Sequence, residues 1–147
     1  MEQDYSKYSD EMLIKEWEEG YDLDESVFFV LGELERRKHP KTKAFSLEVL
    51  NRDLGFDEYF VSSAMNSLYS YDEEYAILYA KEHYKDFHIH SLGSLLSLLW
   101  VDSEQKKSQN KRELIKLIKE YLKSLKKQEI SDIQKDYDEF MKAYKDI

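Results

Sequence analysis

Residues 110–125 read NKRELIKLIKEYLKSL. Leu114, Ile115, Leu117, Ile118, Tyr121, Leu122 and Leu125 recur there at spacings of three and four, with lysines between them, which is the period of an amphipathic α-helix and not the two-residue alternation of a strand. Asn110 followed by Glu113 has the spacing of a capping box and predicts that the helix starts at that point.

The same period continues outward in both directions. A first helix is expected from Asp10 to Glu18, with Leu13, Ile14 and Trp17 inward and Gly20 as its left-handed stop. Asp24 reads as the N-cap of a second, which buries Val27, Phe28, Val30, Leu31 and Leu34, gathers Arg36, Arg37 and Lys38 at its negative end and stops before Pro40. A third covers Lys43 to Leu54 through Phe45, Leu47, Leu50 and Leu54 and stops at Gly55; Asp57 caps a fourth carrying Phe60, Val61, Ala64, Met65 and Leu68. A fifth starts at Asp72 with Tyr75, Ala76, Tyr79 and Ala80 inward, and a sixth ends near Trp100 with Leu92, Leu95, Leu96 and Leu99. Asp102 to Gln109 reads as an exposed loop, and Ser131 with Gln134 repeats the capping signal for a last helix bearing Ile133, Tyr137, Phe140 and Tyr144.

Val27, Val30, Leu31 and Leu34 slide by 34 residues onto Val61, Ala64, Met65 and Leu68, and by a further 31 onto Leu92, Leu95, Leu96 and Leu99. That period matches a stack of helical hairpins, each burying its apolar face against its neighbours. The expected fold is therefore all-α, a single domain over residues 1–147 of about eight helices, arranged as antiparallel hairpins in a short α-solenoid or as an irregular helical bundle. A minor alternative pairs Val27–Leu31 and Phe87–Leu92 as short strands. One proline and four glycines are too few for the many tight turns of an all-β chain.

Composition narrows the function. The absence of cysteine excludes disulfides, thiolate catalysis and cysteine zinc sites, and a polar, acidic start with no apolar run near the ~20 residues a bilayer needs makes a cytoplasmic, non-membrane protein the expectation. The net charge is −9, and residues 1–104 alone hold 23 acidic and 10 basic side chains, a balance that repels phosphate backbones and steers basic partners inward. Direct nucleic-acid binding is not expected.

No phosphate-binding glycine loop, His-Glu-x-x-His helix or calcium-loop spacing occurs. Ser91 and Ser94 lack the Gly-x-Ser-x-Gly turn of a serine hydrolase and read as helix-surface serines. His83, His88 and His90, with Glu82 and Asp86 beside them, form the one constellation with metal-ligand residue types; on a continuous helix His88 and His90 point apart, whereas a loop or strand would bring them together. The bland reading, a helix junction with capping or solvated histidines, stands ahead of a His-dependent metal hydrolase. The expectation is a non-enzyme with no catalytic residue, no cofactor and no metal.

Two surfaces could bind a macromolecule. Asp22, Asp24 and Glu25, then Asp57, Glu58 and Tyr59, then Asp72, Glu73, Glu74 and Tyr75 all fall near expected helix starts, where capping alone explains them; in a hairpin stack such starts can also line one edge, flanked by Tyr69 and Tyr71. Asp57, Glu58, Tyr69, Tyr71, Asp72, Glu73, Glu74 and Tyr75 are the candidate partner-binding residues. The second surface is the basic stretch Lys106, Lys107, Lys111, Arg112, Lys116, Lys119, Lys123, Lys126 and Lys127, which reads first as the solvated face of its helix.

Residues 70–84, SYDEEYAILYAKEHY, followed by the leucine-rich helix through Trp100, resemble a HEAT-like helical pair. The small acidic whole, over roughly Asp57 to Leu125, is similar to helical immunity proteins of bacterial toxin–immunity systems, including contact-dependent growth inhibition. That resemblance implies a cytoplasmic neutraliser that binds a cognate toxin, a basic nuclease domain acting on RNA, and covers its active site or substrate groove. A helical adaptor recognising another protein is the alternative, and the free protein is expected to be a monomer or weak dimer.

Overall fold

A computed structural model of the chain describes residues 4–20, 25–53 and 58–147. Among them lie nine α-helices and no strand: α1 (Asp10–Gly20), α2 (Glu25–Arg36), α3 (Lys41–Asp53), α4 (Glu58–Tyr71), α5 (Glu73–His83), α6 (Ile89–Val101), α7 (Gln109–Ser124), α8 (Lys127–Asp132) and α9 (Gln134–Ala143). The protein is all-α. Val27–Leu31 lies within α2 and Ile89 opens α6, so the strand alternative is wrong on both segments. Val30, Leu31 and Leu34 in α2 and Leu92, Leu95 and Leu96 in α6 are buried at helical spacing, and that burial outweighs the local β preference of these segments.

The helices form two layers. In one, α2 packs on α4, α4 on α6 and α6 on α9. In the other, Trp17 of α1 stacks on Phe45 of α3 and donates its indole N–H to Glu48 at 2.7 Å; Tyr79 of α5 donates to Asn51 of α3 at 3.1 Å; and α5 packs on α7. Crosswise, α1 packs on α2 and α3 on α4, as in stacked helical hairpins. The slid stripes are the spine of the first layer: Val30, Leu31 and Leu34, then Val61, Ala64, Met65 and Leu68, then Leu92, Leu95, Leu96 and Leu99 are all buried. Phe140 and Tyr144 of the last segment close the open end, with the Tyr144 hydroxyl donating to the Leu99 carbonyl.

Some boundaries differ from expectation. The Asn110 signal is displaced: Ser108 is the N-cap of α7, its hydroxyl accepting the Lys111 N–H at 3.1 Å, while Asn110 and Glu113 bond across to α5. The Ser131 signal falls inside α8, and the last helical segment breaks at Ile133 into two helices. Leu117 and Tyr75, expected inside, are 40% and 37% exposed, whereas Ile77 is buried in the place expected of Tyr75. Gly20 is the last residue of α1. Asp22, Asp24, Leu54, Gly55 and Asp57 lie outside the described residues.

Two junctions follow from local chemistry. After α2, Lys38 takes φ 57°, with Lys38 N–H bonding the Glu35 carbonyl and His39 N–H the Leu34 carbonyl, both at 2.9 Å, a Schellman stop made without glycine. Arg37 turns back to bind Glu33, Asp10 and the Tyr8 carbonyl, tying the 3₁₀ turn Tyr5–Lys7 and the start of α1 to α2.

Candidate partner-binding surfaces

The acidic edge forms at the corner where α4 ends and α5 begins. Asp72 is the N-cap of α5: its carboxylate accepts the Tyr75 N–H at 3.1 Å and pairs with Lys43 of α3 at 3.0 Å. The Lys43 hydrogen bond, with the backbone N–H second, holds the Asp72 carboxyl below its usual range. Lys43 also lies 3.9 Å from the centre of the Tyr75 ring. Glu73 meets Lys111 at 3.3 Å, and Glu74 accepts from the Asn110 side chain at 2.8 Å. Tyr69 and Tyr71 are half-buried beside them.

The structure thus brings together Tyr69, Tyr71, Asp72, Glu73, Glu74 and Tyr75 of the expected set. Asp57 lies outside the described residues, as do Asp22 and Asp24; Glu58 opens α4, with its side chain undescribed. The capping reading holds for Asp72. Glu73 and Glu74 do something composition did not indicate: they tie α5 to the start of α7.

At the centre of that tie is Lys111, expected on a solvated face and instead 3% exposed. Its ammonium group donates to the Tyr69 hydroxyl at 2.7 Å, Asp102 at 3.0 Å and Glu73 at 3.3 Å, and Tyr69 donates in turn to Asp102 at 3.1 Å. One lysine of α7 so joins the ends of α4 and α6 to the start of α5, with all three ammonium protons directed at oxygen acceptors. Burial, reinforced by the carboxylates of Glu73 and Asp102, pushes the Tyr69 hydroxyl far above its ordinary pKa and keeps it a neutral donor. Nearby, Lys81 of α5 bonds Glu113 at 2.6 Å and Asn110 at 3.2 Å.

Two more members of the basic stretch turn inward. Lys119 holds the Tyr144 and Ile147 carbonyls, at 2.8 and 2.7 Å, and Lys107 binds the Ser103 and Gln105 carbonyls above the Tyr144 ring. The stretch is therefore not one cationic face: Lys106, Arg112, Lys116, Lys123, Lys126 and Lys127 are exposed, and three of its lysines are structural. Lys43, Lys81, Asp102 and Asn110 were missed because their partners sit 9 to 36 positions away, beyond any helical repeat.

The histidines separate by role. His83 lies against Tyr79 within α5, the two rings tilted by 33°, while His88 is the N-cap of α6, its ring nitrogen accepting the His90 N–H at 3.3 Å and its ring stacked 5.5 Å from that of His90. Among the described residues no three His, Asp or Glu side chains are placed to hold a metal ion. Ser91, expected on a surface, is buried, and Ser94 bonds the His90 carbonyl at 3.3 Å.

A second surface had no counterpart in the reading of charges. Between α4 and α6 runs an open groove lined by Tyr59, Ser62, Ser63, Asn66, His90 and Ser94. Tyr59 is 73% exposed at its end.

A scan of protein-family models and searches of curated proteins and of solved structures return no match to this chain. No described helix is long and apolar enough to cross a membrane.

Proposed function

We propose that this chain is a helical immunity protein, which binds a cognate toxin domain, a basic nuclease acting on RNA, and neutralises it by covering its active site or substrate groove. The observation that carries the reading is the start of α5. Asp72, Glu73 and Glu74 stand in a row there, with Glu73 49% and Asp72 36% exposed at the side chain, while Lys43, Lys111 and Asn110 hold all three in fixed positions. A carboxylate offers about four lone-pair directions, so one that accepts one internal bond, as Glu74 does, or two, as Asp72 does, still has room for a partner's arginine or lysine.

Fixing the carboxylates before contact removes most of the side-chain ordering that association otherwise costs. Five carboxylates, Asp72, Glu73, Glu74, Asp102 and Glu113, share this corner with three lysines, Lys43, Lys81 and Lys111, so its local field stays negative. A row of fixed anions with flanking tyrosines presents to a nuclease what its substrate's phosphates present, and the net charge of −9 speeds the encounter.

The test is protection. Cells that express a basic nuclease domain encoded beside this chain in its own genome should survive when the chain is co-expressed and die without it. Equal killing in both would contradict the proposal.

A further inference from the structure

Charge is absent from two long stretches of a chain in which 36% of residues are charged. Residues 59–71 and 87–101 contain no Asp, Glu, Lys or Arg. They form nearly all of α4 and α6, the two helices that pack side by side in one layer. Their apolar stripes explain the inward half. Neighbouring helices cover most of the rest, α2, α3 and α5 around α4 and α8 and α9 beside α6, and the strip left open, where Tyr59, Asn66 and His90 are exposed, calls for another reason, because helix surfaces ordinarily carry Lys, Glu, Arg or Ala, which stabilise the helix and keep the surface soluble.

Here the groove instead presents Ser62, Ser63, Asn66, His90 and Ser94. Serine, asparagine and histidine are poorer helix formers than the residues they displace, by about 0.5 kcal/mol each. Buried serines let helices approach closely, as Ser67 and Ser91 do, but those lining the groove are only half-buried. Loss of both helix propensity and surface charge over two adjacent helices is the pattern of a surface kept for contact.

We infer that the α4–α6 groove is a second docking surface, which receives an extended, uncharged segment of the partner polypeptide through hydrogen bonds to its backbone. This rests on the reading of the chain as a protein-binding inhibitor. The chemistry selects the occupant. Hydroxyl, carboxamide and imidazole groups both donate and accept, matching the peptide unit, whereas a phosphate backbone or a basic helix would find no counter-charge. Tyr59, with Ser and Asn beside it, belongs to the residue set that antibody binding loops use against protein surfaces, the tyrosine giving rigid contact area and the small polar groups adaptable hydrogen bonds. From Tyr59 to Asn66 the groove runs about 10 Å along α4, room for about three extended residues. The acidic edge would then set the rate of encounter and this groove the choice of partner, since the two demand different chemistry.

The full chain, carrying a photo-crosslinking benzoylphenylalanine at Ser94 in one version and at Glu74 in another, is expressed in its native host, irradiated, and its adducts are mapped by mass spectrometry. The inference expects one partner in both adducts, with the Ser94 adduct on a partner segment free of Asp, Glu, Lys and Arg. Adding Ser63→Arg or Asn66→Arg should remove the Ser94 adduct at least about tenfold, the effect of burying an unpaired charge in a neutral interface, with thermal unfolding unchanged. An adduct from Glu74 alone, a groove adduct on a charged segment, or one joining two copies of this chain would overturn the groove while leaving protection intact. No adduct from either position would overturn both.

Discussion

The Lys111 ammonium group and the Tyr69 hydroxyl, 2.7 Å apart, join α7 to α4 across 42 positions of sequence. With Asp102 and Glu73 they form a polar cluster where α4, α5, α6 and α7 meet, so the acidic edge is held by the same bonds that hold the helices. Removing the cation strands Asp102, which is only 18% exposed, without its charge partner. Lys111→Met should therefore destabilise the fold by about 3 kcal/mol, in the range for breaking a buried ion pair. Lys116→Met, on the exposed side of the same helix, should stay within about 0.5 kcal/mol. Chemical denaturation of both variants reads the difference, and equal values would show that the buried lysine contributes nothing special.

At Gly93 the constraint is steric. A Cβ there would sit 2.7 Å from the Ile133 methyl Cγ2, where α6 meets the α8–α9 junction. Gly93→Ala should cost about 1–3 kcal/mol by overpacking, although alanine is the better helix former. The double variant with Ile133→Leu, which has no Cγ2 methyl on its β carbon, should recover part of that loss. A stabilised Gly93→Ala would mean the helices have room to part.

Lys38 lies in the left-handed region at φ 57°, which disfavours any residue with a Cβ. Lys38→Gly should raise stability by about 0.5–1 kcal/mol, since glycine adopts that conformation without the clash. A lower melting temperature for the variant would count against the Schellman stop.

Glu33 gives the fold an acid-labile point. Its hydrogen bond from Arg36, aided by Arg37 and opposed by burial, lowers its pKa from 4.5 to about 2. A depressed folded-state pKa means stability that is present above 4.5 and drains away as pH falls towards 2. Titrating unfolding free energy across that window should give a shallower slope in Glu33→Gln than in the natural chain, and parallel slopes would place the acid sensitivity elsewhere.

Charge reversal at Glu74 probes the acidic edge with little risk to the fold, because among the described residues its one partner is the Asn110 side-chain amide. Glu74→Lys should slow association with the toxin domain several-fold at low salt, and the difference should narrow as salt rises. An unchanged association rate would remove Glu74 from the contact.

How far the chain could be read in advance depends on the range of each interaction. The stripes of α2, α4 and α6 were legible because helical burial writes a local period, and the slid sets Val61 to Leu68 and Leu92 to Leu99 are buried as that period requires. Asp72 was legible as a cap because its bond reaches only to Tyr75. Lys111 was not: its neighbours Lys107, Arg112 and Lys116 share its composition, and nothing local separates the one lysine whose carboxylate and phenol partners arrive from other helices. Asn110 and Glu113 had cap spacing and serve as links to α5 instead, since Ser108 already supplies the cap. The α4–α6 groove did leave a signal, two charge-free runs, which shows only when absent residue types are counted along with those present.

The central claim is that this chain works by occupying a toxin. It is tested most directly by capturing the tagged chain from its native host and assaying the captured material for nuclease activity before and after the two proteins are separated by denaturation and refolding. The account predicts one basic domain, bound in equal proportion, silent in the complex and active once freed. A captured signalling or assembly complex with no latent nuclease would contradict it.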